Sequence, residues 1–211
     1  MKPRLFLLPF ICLTLLTLST TWSDGQNVIT FDDLHVTGSG EYIPNGYQGL
    51  VWSNFGVVNA ILETNLPLVL GGGVSGIDYG MVSPSNVAVN AGGTPAEIDS
   101  ATNFNFLSVY LTGAWSSNLN IEVQGFNNGT LLYDTTVTAS ATNPTLFTFN
   151  YLDIDRLYFN SFGGQNAGFS GSGENFVMDN MTFAFIPEPS SFLLAALGAV
   201  SLVAFLRRRR V

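Results

Sequence analysis

The chain has 211 residues, with seven basic and fifteen acidic side chains, one histidine and one cysteine. Of the basic residues only Arg156 lies between Asp24 and Ile186, where it faces fourteen acids, so this body carries about −13. Such a body repels phosphate backbones, which excludes nucleic acid as a partner class, and the lone Cys12 in the leading segment leaves it without a thiol for a disulfide, zinc-thiolate site or cysteine nucleophile.

The first segment, 1–23, reads as a secretory signal peptide. Lys2 and Arg4 supply the positive start, Leu5 to Leu18 the apolar run, and Thr21 and Ser23 the small residues before cleavage. The apolar run is shorter than the ~20 residues that span a bilayer, which favours removal over permanent anchoring.

The body, 24–185, is rich in Gly, Asn, Ser and Thr and lacks long helical periodicity. Strands are expected at Asn27–Phe31, within Gly49–Val58, at Ser85–Ala91 and at Ala96–Asp99. The second half alternates more clearly. Phe104 to Leu111 is apolar on both faces, and Leu119 to Phe126 places Leu119, Ile121 and Val123 on one side. Asn128-Gly129 then predicts a hairpin into Leu131–Thr138. Further strands are expected at Thr145–Phe149, Ile154–Phe162 and Phe176–Phe185, with a Gly/Ser/Asn loop over Gly163–Gly173. This spacing predicts an all-β fold, an antiparallel β-sandwich of jelly-roll type; a closed barrel fits the strand count almost as well. Long loops are expected at Val36–Gln48 and Leu66–Pro84.

Catalytic chemistry is sparse. His35 is the only imidazole and reads as a loop residue. Glu97 with Asp99, and Asp153 with Asp155, share strand faces, the placement a glycoside hydrolase would draw on, but spacing alone does not make carboxylates catalytic. The reading is therefore non-enzymatic. Gly71 to Gly76 imitates a phosphate loop but lacks Gly-Lys-Ser/Thr, and no helical pattern follows it.

Two sets of residues point to binding. Asp32, Asp33 and Glu41 near the first strand and Asp179 in the last are candidate oxygen ligands for a structural calcium ion, if the terminal strands adjoin; the competing reading is solvated surface acids. Tyr42, Tyr47, Trp52, Tyr79 and Trp115 sit in or beside loops, where flat rings stack on sugar rings. Trp52 reads as core, and Tyr47, Tyr79 and Trp115 are the candidate ligand-binding aromatics.

The tail, 186–211, is the most specific stretch. Pro187-Glu188-Pro189 precedes the apolar Ser190 to Leu206, which ends in Arg207, Arg208, Arg209 and Arg210. These elements in this order resemble the PEP-CTERM sorting signal of Gram-negative bacteria. The resemblance implies export, transient retention in the inner membrane, processing by an exosortase-type enzyme, and delivery to the cell surface or extracellular matrix. It also associates the protein with extracellular polysaccharide as a partner. Residues 190–206 are expected to form a transmembrane helix of about 26 Å. The arginines hold its end in the cytoplasm and so place the body outside. The Ile29 to Asp33 opening and Val177 to Phe183 ending are similar to galactose-binding-like jelly rolls, a likeness that brings no catalytic residues. The body is expected to bind polysaccharide, or to serve as a structural or adhesive module without a defined ligand.

Overall fold

The computed structural model describes residues 25–37, 40–65 and 73–186, together with Leu197, Gly198, Ser201, Leu202 and Phe205 of the tail. The chain forms β1 (Asn27–Ile29), β2 (Glu41–Tyr42), β3 (Val51–Ser53), β4 (Phe55–Asn59), β5 (Asn86–Asn90), β6 (Ala96–Gly113), β7 (Ser116–Ser117), β8 (Leu119–Asn127), β9 (Thr130–Ala139), β10 (Thr145–Phe162), β11 (Gln165–Asn166) and β12 (Phe176–Phe185). Two short helices, α1 (Ala60–Asn65) and α2 (Gly76–Gly80), lie between β4 and β5.

Every strand pair is antiparallel, and the main order is β2-β4-β5-β12-β6-β10-β8-β9. The ribbon folds over because β6 and β10, each 18 residues long, bend and serve both layers. The first part of β6 pairs with β3, Trp52 opposite Ile98, while its second part pairs with β12 from Phe104 to Gly113. Residues Asn150 and Asp153 adopt φ of 51° and 58° at register shifts in β10, which supplies the bend.

Phe55 on β4 meets Phe159 on β10 edge-on, with ring centroids 5.8 Å apart. Those strands are not hydrogen-bonded neighbours, so the contact crosses between layers. Phe106, Phe176 and Trp52 extend the same aromatic core, and all are buried. The sandwich expectation therefore holds.

The expected strands at Ala96–Asp99 and Phe104–Leu111 are one continuous β6, and those at Thr145–Phe149 and Ile154–Phe162 are one β10. Polar residues at the bends break the apolar alternation without breaking the strand. The Gly49–Val58 region splits into β3 and β4 at Asn54, whose φ is 59°. Phe31 leaves the first strand with φ of 63° but remains fully buried. The Asn128-Gly129 hairpin forms with both residues at positive φ, 48° and 75°, as a two-residue turn between right-twisted strands requires.

A helix does follow the glycine-rich 71–76 stretch, against expectation. Its start is specified by a capping box: the Ser75 hydroxyl accepts the Ile77 amide at 3.1 Å, and Asp78 accepts the Ser75 amide at 2.8 Å. The helix lasts only five residues, too few to produce periodicity.

The expected signal peptide at 1–23 lies outside the described residues, as does most of the expected membrane helix at 190–206. The five described tail residues are all helical, and the Ser201 hydroxyl donates to the Leu197 carbonyl at 2.8 Å. Among the described residues no helix is long and apolar enough to cross a membrane.

Candidate glycan-binding face

The outer surface of the β4–β5–β12–β6 layer carries a second apolar cluster, separate from the sandwich core. Val58, Val87 and Val177 form its floor, and Ile77 of α2 covers part of it. Trp115, just after β6, packs against its rim with Val89.

Three connections hold this end together. The Gly76 amide donates to the Ala114 carbonyl at 2.8 Å, seating α2 on the end of β6. The Ala167 amide donates to the Trp115 carbonyl at 2.9 Å, drawing in the loop after β10. β11 pairs with β7, Asn166 opposite Ser116. Gly171 of that loop lies against the indole; a Cβ there would meet Trp115 Cε3 at 2.5 Å. A larger residue there would have to push the indole aside.

The same loop supplies Phe169, which stacks on Tyr79 of α2 with centroids 6.1 Å apart and planes 27° apart. Tyr79 is 43% exposed. Two of the three candidate aromatics, Tyr79 and Trp115, thus share one loop as their packing partner. Phe169 was not singled out by sequence reasoning, because it lies in a Phe-Ser-Gly-Ser-Gly run with no periodicity.

Across Val89 lies an open groove of about 210 Å³. Val57, Val58 and Val89 line its apolar wall, and Tyr42, 72% exposed, stands at its edge. Two exposed tyrosines, a half-buried tryptophan and an apolar trough therefore occupy one layer's outer face.

Tyr47 does not join them. Its ring sits between Phe31 and Trp52, 6.2 Å from each, and its hydroxyl donates to Asp33 at 2.6 Å. Burial and the adjacent Asp33 carboxylate push the phenol pKa well above the ordinary tyrosine value. Trp52 is core, as expected, with its indole N–H donating to the Tyr47 carbonyl at 3.1 Å.

The four candidate calcium ligands are engaged by protein donors. Asp32 accepts the Asn86 amide at 2.9 Å, and Asp179 accepts the Val82 and Ser83 amides at 2.7 and 2.8 Å. Asp32 and Asp179 thus clamp the two ends of the Val82–Asn86 loop. Asp33 faces Tyr47, and Glu41 accepts from Thr37, which lowers its pKa. The terminal strands do adjoin, Asn27 opposite Phe183, but among the described residues no three His, Cys, Asp or Glu side chains converge on a common point. Asp99 forms an ion pair with Arg156 at 2.6 Å, Asp153 accepts from Asn103 at 2.7 Å, and Asp155 accepts the Asn128 amide at 2.7 Å. His35 is exposed in its loop.

Comparison with known proteins assigns the tail. The family model of the PEP-CTERM protein-sorting motif matches residues 185–210. The chain is thus an all-β protein whose tail marks it for exosortase sorting to the cell surface. No curated protein matches it. Among solved structures the chain is similar to TmCBM61, determined in complex with beta-1,4-galactotriose, at a TM-score of 0.38 and 9% identity, over 72% of this chain and 100% of that one.

Proposed function

We propose that the protein is a non-catalytic surface module that binds polysaccharide through the outer face of the β4–β5–β12–β6 layer, in the envelope or extracellular matrix of a Gram-negative bacterium. The observation that carries this reading is that one loop outside the sandwich core packs both on Tyr79, through the Phe169 stack, and on Trp115, through Gly171. Rings presented this way stack on the C–H faces of pyranoses. The body's charge favours neutral or amino-sugar chains over uronic-acid polymers.

A polysaccharide array with the full chain tests this. Trp115→Ala and Tyr79→Ala weaken retention about tenfold each, the scale of one lost stacking contact at a binding hot spot. Tyr47→Phe, remote from the face, leaves retention unchanged. Failure to bind any neutral, acidic or amino-sugar polysaccharide, the producer's own included, overturns the reading.

A further inference from the structure

We infer that two copies of this chain associate through strand β9, edge to edge about a two-fold axis. β9 ends the hydrogen-bonded order, with β8 on one side and no ladder partner among the described residues on the other. An unpaired edge presents a row of free N–H and C=O groups to any second strand.

Proteins usually blunt such edges by keeping them short, or with lysine or proline. The edges at β2 and β3 follow that rule, with two and three residues. β9 does not: it has ten residues, Thr-Leu-Leu-Tyr-Asp-Thr-Thr-Val-Thr-Ala, with neither lysine nor proline. Leu131 and Leu132 are 46% and 48% exposed. The first half of β10 continues the surface: the Leu152 amide donates to the Tyr133 hydroxyl at 3.2 Å, and Leu146 and Leu152 are both exposed.

Charge selects the occupant. Two copies of a body near −13 repel one another wherever acids are dense. Residues 127–152 carry a single charged side chain, Asp134, and its carboxylate already accepts from Gln124 at 3.1 Å. This is the surface on which a like-charged copy approaches at least cost. Antiparallel self-pairing is the isologous arrangement that a two-fold axis demands. Every such register except the one centred on Asp134 keeps the two carboxylates from facing each other. This inference is independent of the polysaccharide reading, since β9 lies at the far end of the strand order from β4 and β5.

Sedimentation of the full chain in density-matched detergent tests it. The expected result is a concentration-dependent doubling of protein mass. Leu132→Glu adds a second carboxylate to each copy's edge and raises the concentration for half-association about tenfold or more. Leu62→Glu, on exposed α1, leaves it unchanged. Amide exchange on the unmodified chain needs no variant to fold: β9 amides gain protection as concentration rises, and β3 amides do not. A mass that stays monomeric overturns the inference. So does a dimer that is indifferent to Leu132→Glu and leaves β9 exchange unaltered, which would place the contact on another surface or in the tail.

Discussion

Asp179 on β12 and Ser83, 96 residues earlier, are joined twice: the carboxylate accepts the Ser83 amide at 2.8 Å and its hydroxyl at 3.2 Å. Asp179 is fully buried and takes the Val82 amide as well. One side chain thus satisfies the backbone of a loop that has no ladder of its own. Asp179→Ala strands these donors, and buried donors without acceptors cost about 1–3 kcal/mol apiece. The expected loss is roughly 3 kcal/mol, read by denaturant unfolding. A loss below about 1 kcal/mol would show that water replaces the carboxylate at no cost.

Glu63 on α1 is the other buried acid, with Oε2 lacking a partner. Burial, and then the neighbouring Asp78, push its pKa up to about 7. Asp179 is pushed up to about 6 by burial, against the pull of its amide donors. Both groups bind a proton more tightly folded than unfolded. Their contribution is therefore full at acidic pH and declines as pH rises from the ordinary carboxylate range through these values. Glu63→Gln, which mimics the protonated form, raises stability at pH 8 by roughly 2 kcal/mol and flattens the decline between pH 5 and 7. Thermal melts across that range check it; equal slopes in both proteins would contradict the assignment.

Gly76 and Gly171 predict opposite outcomes for the same substitution. A Cβ on Gly76 would enter the Gly113 carbonyl, which is backbone and cannot turn aside, so Gly76→Ala unseats α2 at a cost of about 3 kcal/mol or more. A Cβ on Gly171 would strike the Trp115 ring, a half-buried side chain that can swing aside where a backbone carbonyl cannot. Gly171→Ala therefore changes tryptophan fluorescence and weakens polysaccharide retention while lowering the melting temperature only slightly. Equal losses of stability in the two variants would mean that the loop after β10 is part of the structural core.

The acids near the terminal strands yield a prediction about calcium. Asp179 is saturated by amide and hydroxyl donors, and Asp32 holds the Asn86 amide. A cation placed on Asp179 would have to displace its donors. The melting temperature of the purified protein is expected to be the same with chelator as with added calcium. An upward shift with calcium would reveal a ligand set that these contacts do not contain.

Strand identity was legible where one face is buried and the other wet. Leu119, Ile121 and Val123 are all buried, with polar neighbours between them, as the alternation requires. Continuity was not legible. The 100–103 stretch in β6 reads as a break because three of its four residues are polar, yet its backbone stays extended and carries the strand through. Whether polar residues mark a loop or the exposed bend of a long strand depends on tertiary partners. The proposed binding face was half legible. Tyr79 and Trp115 stand beside loops in sequence, as Tyr47 does. What separates them is Asp33, fourteen residues before Tyr47, which claims its hydroxyl. Phe169 becomes part of the face only through the contacts of its loop with Trp115.

The direction of β6 and β12 has a mechanical consequence. Gly113, at the Trp115 end of β6, pairs with Phe176 at the start of β12, and Phe104 pairs with Phe185 where β12 leads into the tail. On the proposed reading, with a polymer gripped near Trp115 and the tail held beyond Phe185, tension pulls these two strands from opposite ends. That loading is shear, so the rungs along about 30 Å of strand resist together and do not unzip one at a time.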